Sequence, residues 1–105
     1  MSSKITAQLK ILETLYRQGE GNETIEKTLD KIIRQELAIA QQKNSELETD
    51  LQQFEQQYQI SSAEFYQRFH AGELGDDTDF VEWNAFYEMW QALQEQIKLL
   101  QSTDN

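Results

Sequence analysis

The sequence predicts an all-α, elongated protein, with one long heptad-bearing helix and a C-terminal helix that can pack back on it. Three observations predict this. Apolar residues recur at spacings of three and four along most of the chain, the period of a helix face. Residues 23–59 contain neither Gly nor Pro. Proline is absent from the whole chain, and the four glycines fall at 19, 21, 72 and 75, between the periodic stretches.

Four helices are expected, at about 4–18, 23–59, 62–71 and 79–102. In the first, Ile5, Leu9, Leu12 and Tyr16 share a face, and Ile11 and Leu15 widen it. Gly19 and Gly21 end it, since glycine readily takes the left-handed conformation that closes a helix. Lys4 to Leu9 also alternates apolar and polar, so a strand opening a ribbon-helix-helix plan competes there. That plan needs a break after Leu9, whereas Lys10-Ile11-Leu12 continues the helical face.

Asn22 is a good N-cap for the second helix, with Glu23 in its first turn. Ile25, Leu29 and Ile32 begin a stripe that shifts by one residue. It then runs through Ile33, Leu37, Ala40, Asn44, Leu47, Leu51, Phe54 and Tyr58, a heptad repeat whose one clearly polar member is Asn44. At 1.5 Å per residue the helix would be about 55 Å long, far beyond the ~13 Å radius of gyration of a compact domain this size. Either the stripe finds a partner or the helix breaks. The break has a candidate, because Ser45-Glu-Leu-Glu48 fits a capping box. Asn44 is then a register-setting residue in a seam or the joint of a hairpin. Self-association as a dimer through Ile33, Leu37, Asn44, Leu47, Leu51 and Phe54 is expected, with back-packing of the last helix on residues 47–58 as the rival.

Ile60-Ser-Ser-Ala-Glu-Phe65 is the clearest local signal. Ser61 is an N-cap with Glu64 as its box partner, and Ile60 and Phe65 have the spacing of a hydrophobic staple. Gly72 stops this third helix. An acidic loop follows, from Glu73 to Asp79, with Asp79 expected to cap the last helix and Glu82 in its first turn. That helix carries Trp83, Phe86, Trp90, Leu93, Ile97 and Leu100 at spacings of three and four. Residues 102–105 read as a frayed tail. The organisation is thus a helix and turn at 1–21, the long helix at 22–60 and an acidic, aromatic helix-loop-helix at 61–105.

Composition excludes several function classes. The 105 residues include no cysteine, so no disulfide or cysteine-based metal site is available. Nine basic against nineteen acidic side chains give a net charge of −10, which disfavours an autonomous nucleic-acid binder. Fifteen glutamines help to hold the apolar fraction at 38 %, and no run reaches the ~20 apolar residues of a membrane span. The expected location is cytoplasmic. Residues 1–60 carry net −3 and residues 61–105 net −7. The second stretch also holds both Trp and four of the five Phe. Rings and carboxylates together suit a surface that grips a basic partner; they also suit a core with a solvated exterior.

No catalytic constellation is visible. The one histidine, His70, has no nucleophile motif beside it. A calcium loop starting at Asp77 fails where Val81 and Glu82 replace an oxygen ligand and the required glycine. No cofactor is expected, and the chain reads as a binding protein and not an enzyme.

Three stretches carry a further signal: Leu51-Gln-Gln-Phe-Glu-Gln-Gln-Tyr-Gln-Ile60, Ser61-Ser-Ala-Glu-Phe-Tyr-Gln-Arg-Phe69, and Gly72-Glu-Leu-Gly-Asp-Asp-Thr-Asp-Phe-Val-Glu-Trp83. Together they resemble small acidic bacterial and archaeal proteins read as antitoxins of type II toxin–antitoxin pairs. Gln59 departs from that pattern, which usually has glycine there. The resemblance implies a protein that neutralises a cognate basic toxin by stoichiometric occlusion. Phe65, Phe69, Leu74, Phe80 and Trp83 would be the anchors, and Asp76, Asp77 and Asp79 the charged rim. A structural coiled-coil adaptor and a DNA-binding autorepressor are the competing functions.

Overall fold

A computed structural model describes residues 2–102. Four helices lie within that span: α1 (Ser2–Arg17), α2 (Glu23–Tyr58), α3 (Ser62–His70) and α4 (Thr78–Gln101). No strand occurs among the described residues. Residues 4–9 are helical, which overturns the strand reading and the ribbon-helix-helix plan built on it. Of the expected tail, residues 103–105 lie outside the described residues. The chain divides after Arg34 into two compact units, taken here in turn.

The N-terminal unit is α1 and the start of α2, joined by a five-residue turn. Gly19, at φ +79°, closes α1. Its N–H donates to the Tyr16 carbonyl and the Glu20 N–H to that of Leu15, the paired bonds of a Schellman motif. Asn22 caps α2 by accepting from the Ile25 N–H at 3.0 Å. Tyr16 lies across this turn and donates its hydroxyl proton to the Asn22 carbonyl at 3.0 Å. Gly21 leaves room for the ring, since a Cβ there would come within 2.6 Å of three Tyr16 ring atoms. No described residue of this unit is fully buried.

In the second unit, α2 passes Asn44 and Ser45 without a break. The capping box at Ser45 does not form, and its Glu48 end serves the helix pairing together with the neighbouring Asn44. Asn44 accepts from the Gln94 amide, and Glu48 accepts from Trp90 Nε1–H at 3.2 Å. Tyr58 donates to Asp79 at 2.6 Å. The residue numbers of these three pairs sum to 138, 138 and 137, which fixes α2 and α4 as antiparallel and in one register. Between the polar pairs lies the apolar seam. Ala40, Leu47 and Leu93 form one buried cluster, and Leu51, Phe65 and Trp83 form another. From Ala40 to Tyr58 the apolar stripe of α2 packs on α4 of the same chain.

The α2–α3 corner turns on Gln59, at φ +58°. Its N–H still bonds the Glu55 carbonyl at 2.8 Å, so it ends α2 in the left-handed way usually left to glycine. Ser61 then caps α3, accepting from the Glu64 N–H at 3.1 Å. The reciprocal half of the expected capping box is absent. Glu64 pairs with Arg68, and the neighbouring Ser62 N–H is taken by Glu55 Oε2 at 2.8 Å. Gly72 and Glu73 close α3 with a second Schellman pair of bonds, to Phe69 and Arg68. The cap of α4 is Asp77 and not Asp79. Asp77 accepts from the Asp79 N–H at 3.2 Å, while the Asp79 carboxylate, in the first turn of the helix, is held by Tyr58.

Two expectations follow. A left-handed non-glycine residue costs about 1–2 kcal/mol, partly offset by the entropy that glycine loses on folding. Gln59→Gly should therefore stabilise the protein by about 0.5–1 kcal/mol, read as a raised denaturant midpoint at unchanged slope. The hydrogen bond to Asp79, with desolvation and the nearby charges adding to it, pushes the Tyr58 phenol up to about 12 from 10.0. A raised acid contributes stability that is whole below pH 10 and is lost as pH climbs through 12. Ultraviolet titration should show a tyrosine ionising near pH 12, and Tyr58→Phe should remove that step.

Candidate protein-interaction surfaces

The eight residues expected to grip a partner do converge, on the corner made by α3, the loop after it and the start of α4. They divide by depth. Phe65 and Trp83 are fully buried, at 0 % exposure each. Their rings stack almost parallel, 3.9 Å between centroids at 5°. Trp83 also stacks on Phe54 and Tyr58 of α2, at 5.4 and 5.7 Å. Its indole N–H donates to the buried Ser62 Oγ at 2.9 Å. These two rings are the core that joins α2, α3 and α4, and neither offers surface to another molecule. Phe69, Leu74 and Phe80 are half-buried around the same cluster and keep outward edges.

The carboxylates divide likewise. Asp79 is half-buried and accepts from Tyr58 and, at 3.5 Å, from Gln57. Asp77 is exposed but serves as the α4 cap. Asp76 is exposed. The reachable part of the predicted site is thus Asp76 and Asp77 beside the edges of Phe69, Leu74 and Phe80.

The expected dimer seam is largely consumed within the chain. Leu47 and Leu51 are buried. Phe54 lies against Trp83 and Phe86, and Asn44 holds Gln94. Ile33 and Leu37 are half-buried. From Asn44 to Tyr58 this stripe faces α4 of the same chain.

Next to the aromatic corner, a polar network ties α3 to α4. His70 Nε2 lies 2.8 Å from Asn84 Oδ1. Tyr66 donates to Glu88 at 3.2 Å, and the Asn84 amide donates to the same carboxylate at 3.3 Å. Desolvation and that bond to Glu88 raise the Tyr66 phenol above its usual range. The network is a surface clasp: His70 pairs with an amide, and no nucleophile stands beside it. No three His, Asp or Glu side chains converge as a metal site among the described residues.

The surface that sequence reasoning passed over lies in the N-terminal unit. Ile5, Leu9 and Ile11 are 58, 55 and 59 % exposed, and Ile32 is 47 % exposed. Facing residues of α1 and α2, chiefly Ile5, Leu9, Leu12, Ile25, Leu29 and Ile32, line an open groove of about 560 Å³. A second groove of about 640 Å³ shares Leu9, Leu12 and Leu29 and reaches Tyr16. A signal was present in the sequence. Six large apolar residues in α1 are more than one helix face needs when its partner is a single helix.

The depth of Trp83 sets a test. Trp83→Ala should cost about 3–5 kcal/mol of stability, as expected for a buried aromatic, while Asp76→Asn should leave the thermal midpoint unchanged. Acrylamide quenching should spare Trp83 in the Trp90→Phe variant. No helix among the described residues is long and apolar enough to cross a membrane. No family model, curated protein or solved structure matches the chain.

Proposed function

We propose that the chain is an antitoxin-like protein that acts in the cytoplasm by occluding a basic partner, its cognate toxin, one to one. The observation that carries this reading is the distribution of charge over the fold. From Gln35 onward the chain has fourteen acidic side chains against Lys43, Arg68 and Lys98, a net charge of −11. The same unit holds an aromatic core that joins three helices. A rigid, strongly negative surface accelerates association with a positive one and orients it. The edges of Phe69, Leu74 and Phe80 beside Asp76 and Asp77 supply apolar area next to charge, the composition of a binding patch. The resemblance over residues 51–83 supports the same assignment.

A second reading, an assembly adaptor, is favoured by the exposed apolar face of the N-terminal unit. Large uncovered apolar patches mark interaction sites.

Co-expression with the product of the adjacent open reading frame separates the two. The antitoxin reading expects that product to arrest growth alone, to be silenced by this chain and to co-purify with it in equal amounts. Asp76→Asn with Asp77→Asn should slow association and flatten its salt dependence, with a smaller effect on dissociation. A harmless neighbour, or one that this chain does not retain, sinks it.

A further inference from the structure

The N-terminal unit presents an unsolved packing problem. Two helices joined by a short turn can shield only the faces they turn to each other. Here even that is incomplete: grooves lie open between them, and Leu12, Leu15, Ile25 and Ile33 are only half-buried. Helices of this kind complete a core by adding further helices, four being the common solution.

The charges say which helices. Three ion pairs lie within the unit, Glu13–Arg17, Glu23–Lys27 and Asp30–Arg34. The charges left over are segregated along its axis. Lys4 and Lys31 lie toward the open end, Lys10 at the middle of α1, and Glu20 and Glu26 at or near the turn. The unit has a positive end and a negative end, with the apolar groove between them. A second copy laid antiparallel sets each positive end against a negative one, whereas a parallel copy sets like against like. Residues 1–34 carry a net charge of only +1, so two such units meet without the repulsion that two acidic C-terminal units would suffer.

We infer that the N-terminal hairpin is a self-association surface, closing on the hairpin of a second copy as an antiparallel four-helix bundle. Leu9 and Leu29, midway along their helices, lie nearest the two-fold axis. Ile5 and Ile32 of one copy lie toward the turn of the other. The exposed apolar side chains fill the grooves, and Lys4 and Lys31 face Glu20 and Glu26 across the interface. The contact is isologous and therefore closes at two. It is independent of the toxin reading, which concerns the other unit.

The test uses the full chain. Light scattering with size exclusion should give twice the 12.4 kDa chain mass at about 50 μM, a concentration well above the micromolar Kd of a modest interface. Leu9→Glu with Ile32→Glu should give a monomer with the near-ultraviolet signal of Trp83 and Trp90 unchanged. A monomeric wild type, or a dimer that survives this pair, overturns the inference. A second set of variants leaves every apolar residue in place. Lys4→Glu with Lys31→Glu should raise the dimer Kd at least tenfold, and adding Glu20→Lys with Glu26→Lys should restore most of it. A dimer indifferent to the first pair, or weakened further by the second, overturns the antiparallel arrangement.

Discussion

The folded C-terminal unit depends on the burial of one indole. Trp83 comes from α4, stacks on Phe65 of α3 and on Phe54 and Tyr58 of α2, and so touches every helix of that unit. An indole N–H in such a place must have an acceptor, because a buried donor left unpaired costs about 1–3 kcal/mol. Ser62 Oγ supplies it. Ser62 is held by its own N–H, which Glu55 of α2 accepts. A polar relay thus runs from α2 through the first turn of α3 to α4, inside an otherwise aromatic cluster. It accounts for Ser62 being the one buried polar residue among the described residues.

Outside that cluster, specificity comes from polar pairs set at intervals along an apolar seam. Leucines alone would let α4 slide by a heptad against α2 with little penalty. Asn44 with Gln94, Glu48 with Trp90, and Tyr58 with Asp79 do not permit it, since a slipped register strands several partly buried donors and acceptors at once. Each is a side-chain pair between neighbouring helices, and each is lost if the other helix is replaced by a plain hydrophobic one.

Much of this was legible in the residues. Helix ends fell within about two residues of the periodicity and cap signals, because Asn22, Ser61, Gly19 and Gly72 carry their instructions locally. Three features were not local. A heptad stripe states that a helix needs a partner and says nothing of whether that partner is in the same chain; Gln94 opposite Asn44 is fifty residues away. Aromatics in an acidic stretch suit an exterior as well as an interior, and only the meeting of three helices sent Phe65 and Trp83 inward. Asp77 and Asp79 are both good caps in sequence. The choice between them was made by Tyr58, which claims Asp79 from another helix. The N-terminal groove was missed for the opposite reason. Its residues were read as an amphipathic helix, and their excess over one face was not weighed.

The ladder between α2 and α4 has an order built into it. Its rungs join residues 21, 42 and 50 positions apart, counting outward from the corner at Gln59. Closing the first rung restrains the shortest stretch of chain. The step from the first to the last then adds only about 0.8 kcal/mol of loop-closure entropy. The hairpin is thus arranged to zip from its knee toward its tips, and thermal fraying runs the other way. The Asn44–Gln94 end should be the first to exchange its amide protons, and the stack around Trp83 the last.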